Sequence, residues 1–183
     1  MKSTNTLPEG YKRIYSVDLH KNKKMLFTVN VTAIIIMLAM ILPVCFYIPI
    51  GIPGFLHLAV LIAGYILYII LHELVHGIAM KLCGTKKVKY GFKGVYAFAG
   101  SDDYYGKKSY IFIALAPVIL WGIVLLAINL FVPAQWFWAV YFIQIGNVSG
   151  AAGDFFVTLK FFRMPADILV KDYGVGMEVY SKY

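Results

Sequence analysis

Residues 55–80 read FLHLAVLIAGYILYIILHELVHGIAM, and this stretch sets both the class of the fold and the place of its chemistry. It is apolar for longer than the roughly 20 residues that carry a helix across a bilayer. Three further stretches qualify, residues 25–50, 110–131 and 135–159. They predict an all-α integral membrane protein with four transmembrane helices. Over 183 residues the chain is 61% hydrophobic and 14% charged, whereas soluble domains run near ~45–50% apolar and ~25% charged. Such a chain has ample surface to bury, which excludes disorder. Cys45 and Cys83 alone cannot make a disulfide scaffold.

The net charge of +8 is explained by where the charges fall. Six of the 17 Lys and Arg residues precede the first span, seven lie in residues 81–109 and four follow the fourth span. The short connections 51–54 and 132–134 have none. By the positive-inside rule, an N-terminal segment 1–24, the loop 81–109 and a tail 160–183 are cytoplasmic, around a membrane domain 25–159. The excess is a topology signal read by the lipid bilayer, and no basic-aromatic motif points to nucleic acid. The first span is too long and too deep in the chain for a cleaved leader and reads as a retained helix. Within the loop, Val88, Tyr90 and Phe92 alternate with Lys87, Lys89 and Gly91, and residues 95–99 continue in strand-like composition. With Gly94 as the turn, this predicts a cytoplasmic β-hairpin between helices two and three.

Apart from tyrosine and Cys45, five ionisable residues remain inside the spans, His57, His72, Glu73, His76 and Asp154. Each is costly in lipid and is therefore a functional candidate. His72-Glu73-Leu74-Val75-His76 is the H-E-x-x-H pattern. On a helix, positions i and i+4 share a face and can grip one metal ion, here Zn2+. Glu73 is turned by about 100°, placed to act as a base and not as a ligand. Zinc chemistry wants a third protein ligand. Asp154 precedes Lys160 by about the distance at which His76 precedes Lys81, so both sit about 7–9 Å above their basic ends. His57 lies about 22 Å up the same helix and cannot share the ion. Small residues from Gly146 to Gly153 would let the fourth helix approach the second. Asn147, two turns before Asp154, is a candidate for holding a substrate carbonyl or oxyanion, or for helix–helix contact.

HELVHG within a span and a late Asn147…Gly153-Asp154 segment resemble the site-2 protease type of intramembrane metalloprotease. More closely, the chain is similar to a bacterial family of small multi-span zincin peptidases, through His72–Gly77, the basic strand-like loop, Ala114-Leu115-Ala116-Pro117 and residues 146–154. The resemblance implies zinc on His72, His76 and Asp154, Glu73 as base, hydrolysis of peptide bonds in membrane proteins or peptides, and a bacterial cell membrane as the setting. The chain departs from the site-2 pattern: no proline follows Asn147-Val148-Ser149, and Gly153-Asp154-Phe155 replaces the usual Leu-Asp-Gly. An extended substrate would add to the hairpin, with Val88, Tyr90 and Phe92 as its contacts, and a water-accessible cavity is expected near Gly77 and Gly153. A non-catalytic metal-binding scaffold is the competing reading; a closed site with Cys83 as fourth ligand would favour it. Oligomeric state is not encoded in any of these features.

Overall fold

The computed structural model describes residues 3–18, 22–51, 54–93, 96–174 and 176–182; Lys2, Lys21 and the expected turn residue Gly94 lie outside them. Three helices, α1 (Lys23–Cys45), α2 (Phe55–Leu82) and α3 (Lys107–Phe131), are long and apolar enough to cross a membrane. Only 6%, 11% and 28% of their most apolar windows is buried within the protein. Phe27, Ile35, Leu67 and Ile123 point outward, as side chains do when lipid rather than protein is the solvent. The Asn22 side chain accepts a hydrogen bond from the Met25 amide and caps α1.

The expected fourth span is not one helix. A 3-10 turn (Ala134–Trp136) leads into α4 (Phe137–Gly150), and α5 (Ala152–Phe162) follows. The 14 residues of α4 rise about 21 Å, short of a hydrocarbon core of about 30 Å. The break falls in Gly150-Ala151-Ala152-Gly153, where each glycine costs about 1 kcal/mol of helix propensity. Its consequence is positional: Asp154 stands in the first turn of a new helix, where the helix dipole favours a carboxylate.

The chain is mostly helical but not all-α. Strands β2 (Lys89–Lys93) and β3 (Tyr96–Gly100) pair antiparallel between α2 and α3, with Tyr90 opposite Ala99 and Phe92 opposite Ala97. A second, four-stranded antiparallel sheet was not foreseen. It has the order β1-β6-β5-β4, from β1 (Lys12–Asp18), β4 (Tyr104–Gly106), β5 (Leu169–Asp172) and β6 (Gly176–Ser181). Segments that read as polar N-terminal and C-terminal extensions are thus joined to each other: Val17 pairs with Met177 and Asp18 with Gly176. Along β6 the inward side chains are Met177, Val179 and Ser181, and Glu178 and Tyr180 alternate with them. The buried core lies where this sheet meets α2, α3 and α5, around Met80, Tyr105, Phe161, Val170 and Val179.

Candidate metal centre

His72 and His76 stand one turn apart on α2, their rings 4.9 Å apart and nearly perpendicular. Asp154, carried in by the start of α5, places Oδ2 3.9 Å from Nε2 of His72 and 3.9 Å from Nε2 of His76. At that separation none of these atoms hydrogen-bonds another. Oδ2 of Asp154 thus stands from each ring nitrogen only slightly farther than the edge of about 3.3 Å that bonds of 2.0–2.1 Å give in a tetrahedron. The set of two imidazoles and a carboxylate is one that zinc takes. A ligand atom of Glu73 also lies within 4.8 Å of those of His72 and His76, so two carboxylates border the site.

The outer nitrogens of the histidines are engaged elsewhere. Nδ1 of His76 lies 2.9 Å from the Ile113 carbonyl of α3. Nδ1 of His72 lies 2.8 Å from the Tyr68 hydroxyl, which donates to Oδ1 of Asn147 at 3.0 Å. Asn147 is fully buried, and its Nδ2 donates to the Val118 carbonyl at 3.1 Å. Each end of its amide is bonded within the protein, and Asn147 does not line the cavity that holds the histidines. His72, Glu73, His76 and Asp154 all line one cavity of about 390 Å³.

The cavity wall differs from the expected one. Ala97, Phe98 and Ala99 of β3 line it, because β3 is the strand of the pair that packs along α2. Val88, Tyr90 and Phe92 do not line it: Val88 packs on the buried core, and Phe92 is 71% exposed. Gly153 lines the cavity and Gly77 does not; a Cβ on Gly77 would lie 1.9 Å from the Tyr90 hydroxyl, so that glycine lets the hairpin close onto α2. Cys83 is buried in the core and does not line the cavity. His57 stacks on Trp136 with centroids 4.0 Å apart, remote from the site as expected.

Sequence reasoning missed Tyr68, although its place four residues before His72 puts it on the same helix face. It also missed Asp172. This carboxylate reaches the cavity from the four-stranded sheet and accepts hydrogen bonds from the Tyr110 hydroxyl and the Gly174 amide. Burial pushes its carboxyl above the ordinary range, and those bonds oppose the shift. Nothing in the local sequence around residue 172 signals this role.

A family model described as "Putative zincin peptidase" matches residues 65–169, more than half of the chain. An "Uncharacterized 24.7 kDa protein in gap 5'region" from Pyrococcus woesei is 32% identical over 128 residues, covering 67% of this chain and 55% of the relative. No solved structure matches. The family match begins a turn before Tyr68 and runs through His72, Glu73, His76 and Asp154, while Asp172 lies just beyond it, and the chain belongs to the family so described.

Proposed function

We propose that this chain is a zinc-dependent, membrane-embedded peptidase that hydrolyses peptide bonds of membrane or membrane-associated proteins near the cytoplasmic face. The observation that carries this reading is the convergence of Nε2 of His72, Nε2 of His76 and Oδ2 of Asp154 beside Glu73, on one cavity. His72, His76 and Asp154 would hold the ion. A bound zinc ion supplies Lewis-acid activation of water and of the scissile carbonyl. Glu73 is spared for proton transfer: its carboxylate takes the proton of the attacking water and delivers it to the leaving amine.

A helical substrate satisfies its own backbone and must unwind before its carbonyl is reachable. β3 runs along the cavity wall and offers main-chain groups to an extended segment, as in strand addition. Phe92, exposed on β2, extends that surface, and Tyr90 beside it packs its hydroxyl against Gly77 of α2. The concentration of Lys and Arg at both ends and in residues 81–109 supports a multi-pass orientation with both termini in the cytoplasm.

The test compares the purified wild type with Glu73→Gln in liposomes containing candidate membrane-protein substrates. Both are expected to bind zinc, and only the wild type to cleave. Equal zinc with no difference in cleavage overturns the peptidase reading. Cysteines introduced at Lys86 and Lys108 are expected to label from the cytoplasmic side; labelling from the other side overturns the orientation.

A further inference from the structure

In a regular α-helix the carbonyl of residue 113 accepts from the amide of residue 117. Residue 117 is a proline inside α3, and proline has no N–H to donate. The Ile113 carbonyl is therefore left without its helical partner, in a part of the chain where both residues are buried. His76 meets that carbonyl through Nδ1 at 2.9 Å. A carbonyl only accepts, so Nδ1 carries the proton and Nε2 presents its lone pair toward Asp154.

The same accounting fixes His72. The Val118 carbonyl accepts from Asn147, which sets the amide nitrogen on that side and Oδ1 on the other. Oδ1 accepts the one proton of Tyr68, whose oxygen can then only accept from Nδ1 of His72. Nε2 of His72 is again the lone-pair atom. The opposite tautomer of either ring would turn an N–H toward Asp154 and make the ring a hydrogen-bond donor in place of a ligand.

We propose that α3, which supplies no metal ligand, sets the tautomer and aim of both imidazoles through two of its carbonyls. Pro117, Tyr68 and Asn147 are the positioning residues that make this possible. Pro117 acts by leaving a carbonyl vacant, and Tyr68 with Asn147 by spanning the distance from His72 to Val118. This rests on the metal site of the proposed peptidase but not on its catalysis. Partners of this kind typically govern metal affinity by 10–100-fold.

The test measures zinc affinity of the full chain in detergent by chelator competition, with Glu73→Gln as the background so that cleavage plays no part. Pro117→Ala restores the amide that competes with His76, and Tyr68→Phe removes the acceptor of His72. Each is expected to weaken zinc binding about 10–100-fold and to alter the visible spectrum of the cobalt-substituted protein. Histidine 15N spectra of the zinc form are expected to show Nδ1 protons on both rings, with the His76 signal changed by Pro117→Ala. Because alanine suits a helix interior better than proline, the metal-free thermal midpoint of Pro117→Ala is expected at or above that of the parent. Wild-type zinc affinity in both variants overturns the inference, as does a Pro117→Ala variant that loses stability and keeps its affinity. Failure of the unmutated chain to bind zinc overturns this and the peptidase reading together. Altered affinity in the variants with no cleavage by the wild type sinks only the peptidase reading.

Discussion

Gly174 and Phe98 meet so closely that a Cβ on the glycine would lie 2.1 Å from the aromatic ring. Gly174 sits between β5 and β6, at φ +90, and Phe98 is in β3 on the cavity wall. The contact ties the four-stranded sheet to the hairpin, and the Ser101 amide adds a hydrogen bond of 2.9 Å to the Asp172 carbonyl. Residues from both ends of the chain, Val17 and Met177 among them, thereby border the same cavity as the histidines.

Substitution Gly174→Ala is expected to lift the β5–β6 connection from β3, since it adds a clash to a left-handed backbone that costs roughly 1–2 kcal/mol by itself. Limited proteolysis should cut the segment after Phe162 faster than in the wild type. Adding Phe98→Ala is expected to recover the clash but not the backbone cost, a partial rescue that a double-mutant cycle can read. Unchanged proteolysis in Gly174→Ala would show that the sheet is not held there.

The two carboxylates at the metal centre are separable by metal analysis. Asp154→Ala is expected to lower zinc affinity by at least about 10-fold, and Glu73→Gln to leave it nearly intact. The reverse pattern would make Glu73 the ligand. Chelation of the wild type is expected to abolish cleavage, and added zinc to restore it.

Close approach of α4 to α2 depends on Gly146, where a Cβ would lie 2.3 Å from the Tyr65 ring. Gly146→Ala is expected to destabilise the protein by about 1–3 kcal/mol through overpacking, read as a lower thermal midpoint in detergent. Tyr65→Leu in the same chain should recover much of the loss. A midpoint equal to that of the wild type would mean that this helix contact is loose.

Acid should loosen the four-stranded sheet. The Tyr180 hydroxyl and then the Arg13 guanidinium, at 2.5 and 2.6 Å, hold the Glu178 carboxyl below its ordinary value. A lowered folded-state value means stability that is present above the unfolded carboxylate value near ~4.3. That stability is lost as pH falls through the folded value. Proteolysis of the C-terminal segment is expected to accelerate in that acid window. Arg13→Ala should raise proteolysis at neutral pH and shrink its pH dependence; a flat profile in the wild type would exclude Glu178 as a contributor.

Much of the candidate metal centre was open to reading because its information is local. His72, Glu73 and His76 occupy adjacent positions of one helix, so the helical period alone brings two ring nitrogens to one face. Asp154 could be set at the same depth by counting rise from Lys160, even though the helix carrying it proved to be broken. The partners behind those side chains were closed to the same reasoning. Tyr68 and Asn147 lie 79 residues apart and His76 and Ile113 lie 37 apart, and no periodicity links residues on separate helices. Pro117 entered only as part of the Ala114-Leu115-Ala116-Pro117 stretch, and nothing in that stretch says which side chain meets the Ile113 carbonyl it leaves vacant.

From the residues alone follow the apolar helices, the gathering of basic charge outside the apolar stretches and the H-E-x-x-H face, because each depends on composition or spacing along the chain. The four-stranded sheet, the division of residues 135–159 and the choice of β3 over β2 as the cavity wall are of another kind. Arg13 and Glu178 are 165 residues apart when they meet, and a strand as short as Gly176–Ser181 has no stability until a partner supplies its missing hydrogen bonds. Such pairing is a property of the folded whole, where distant backbone groups must satisfy one another.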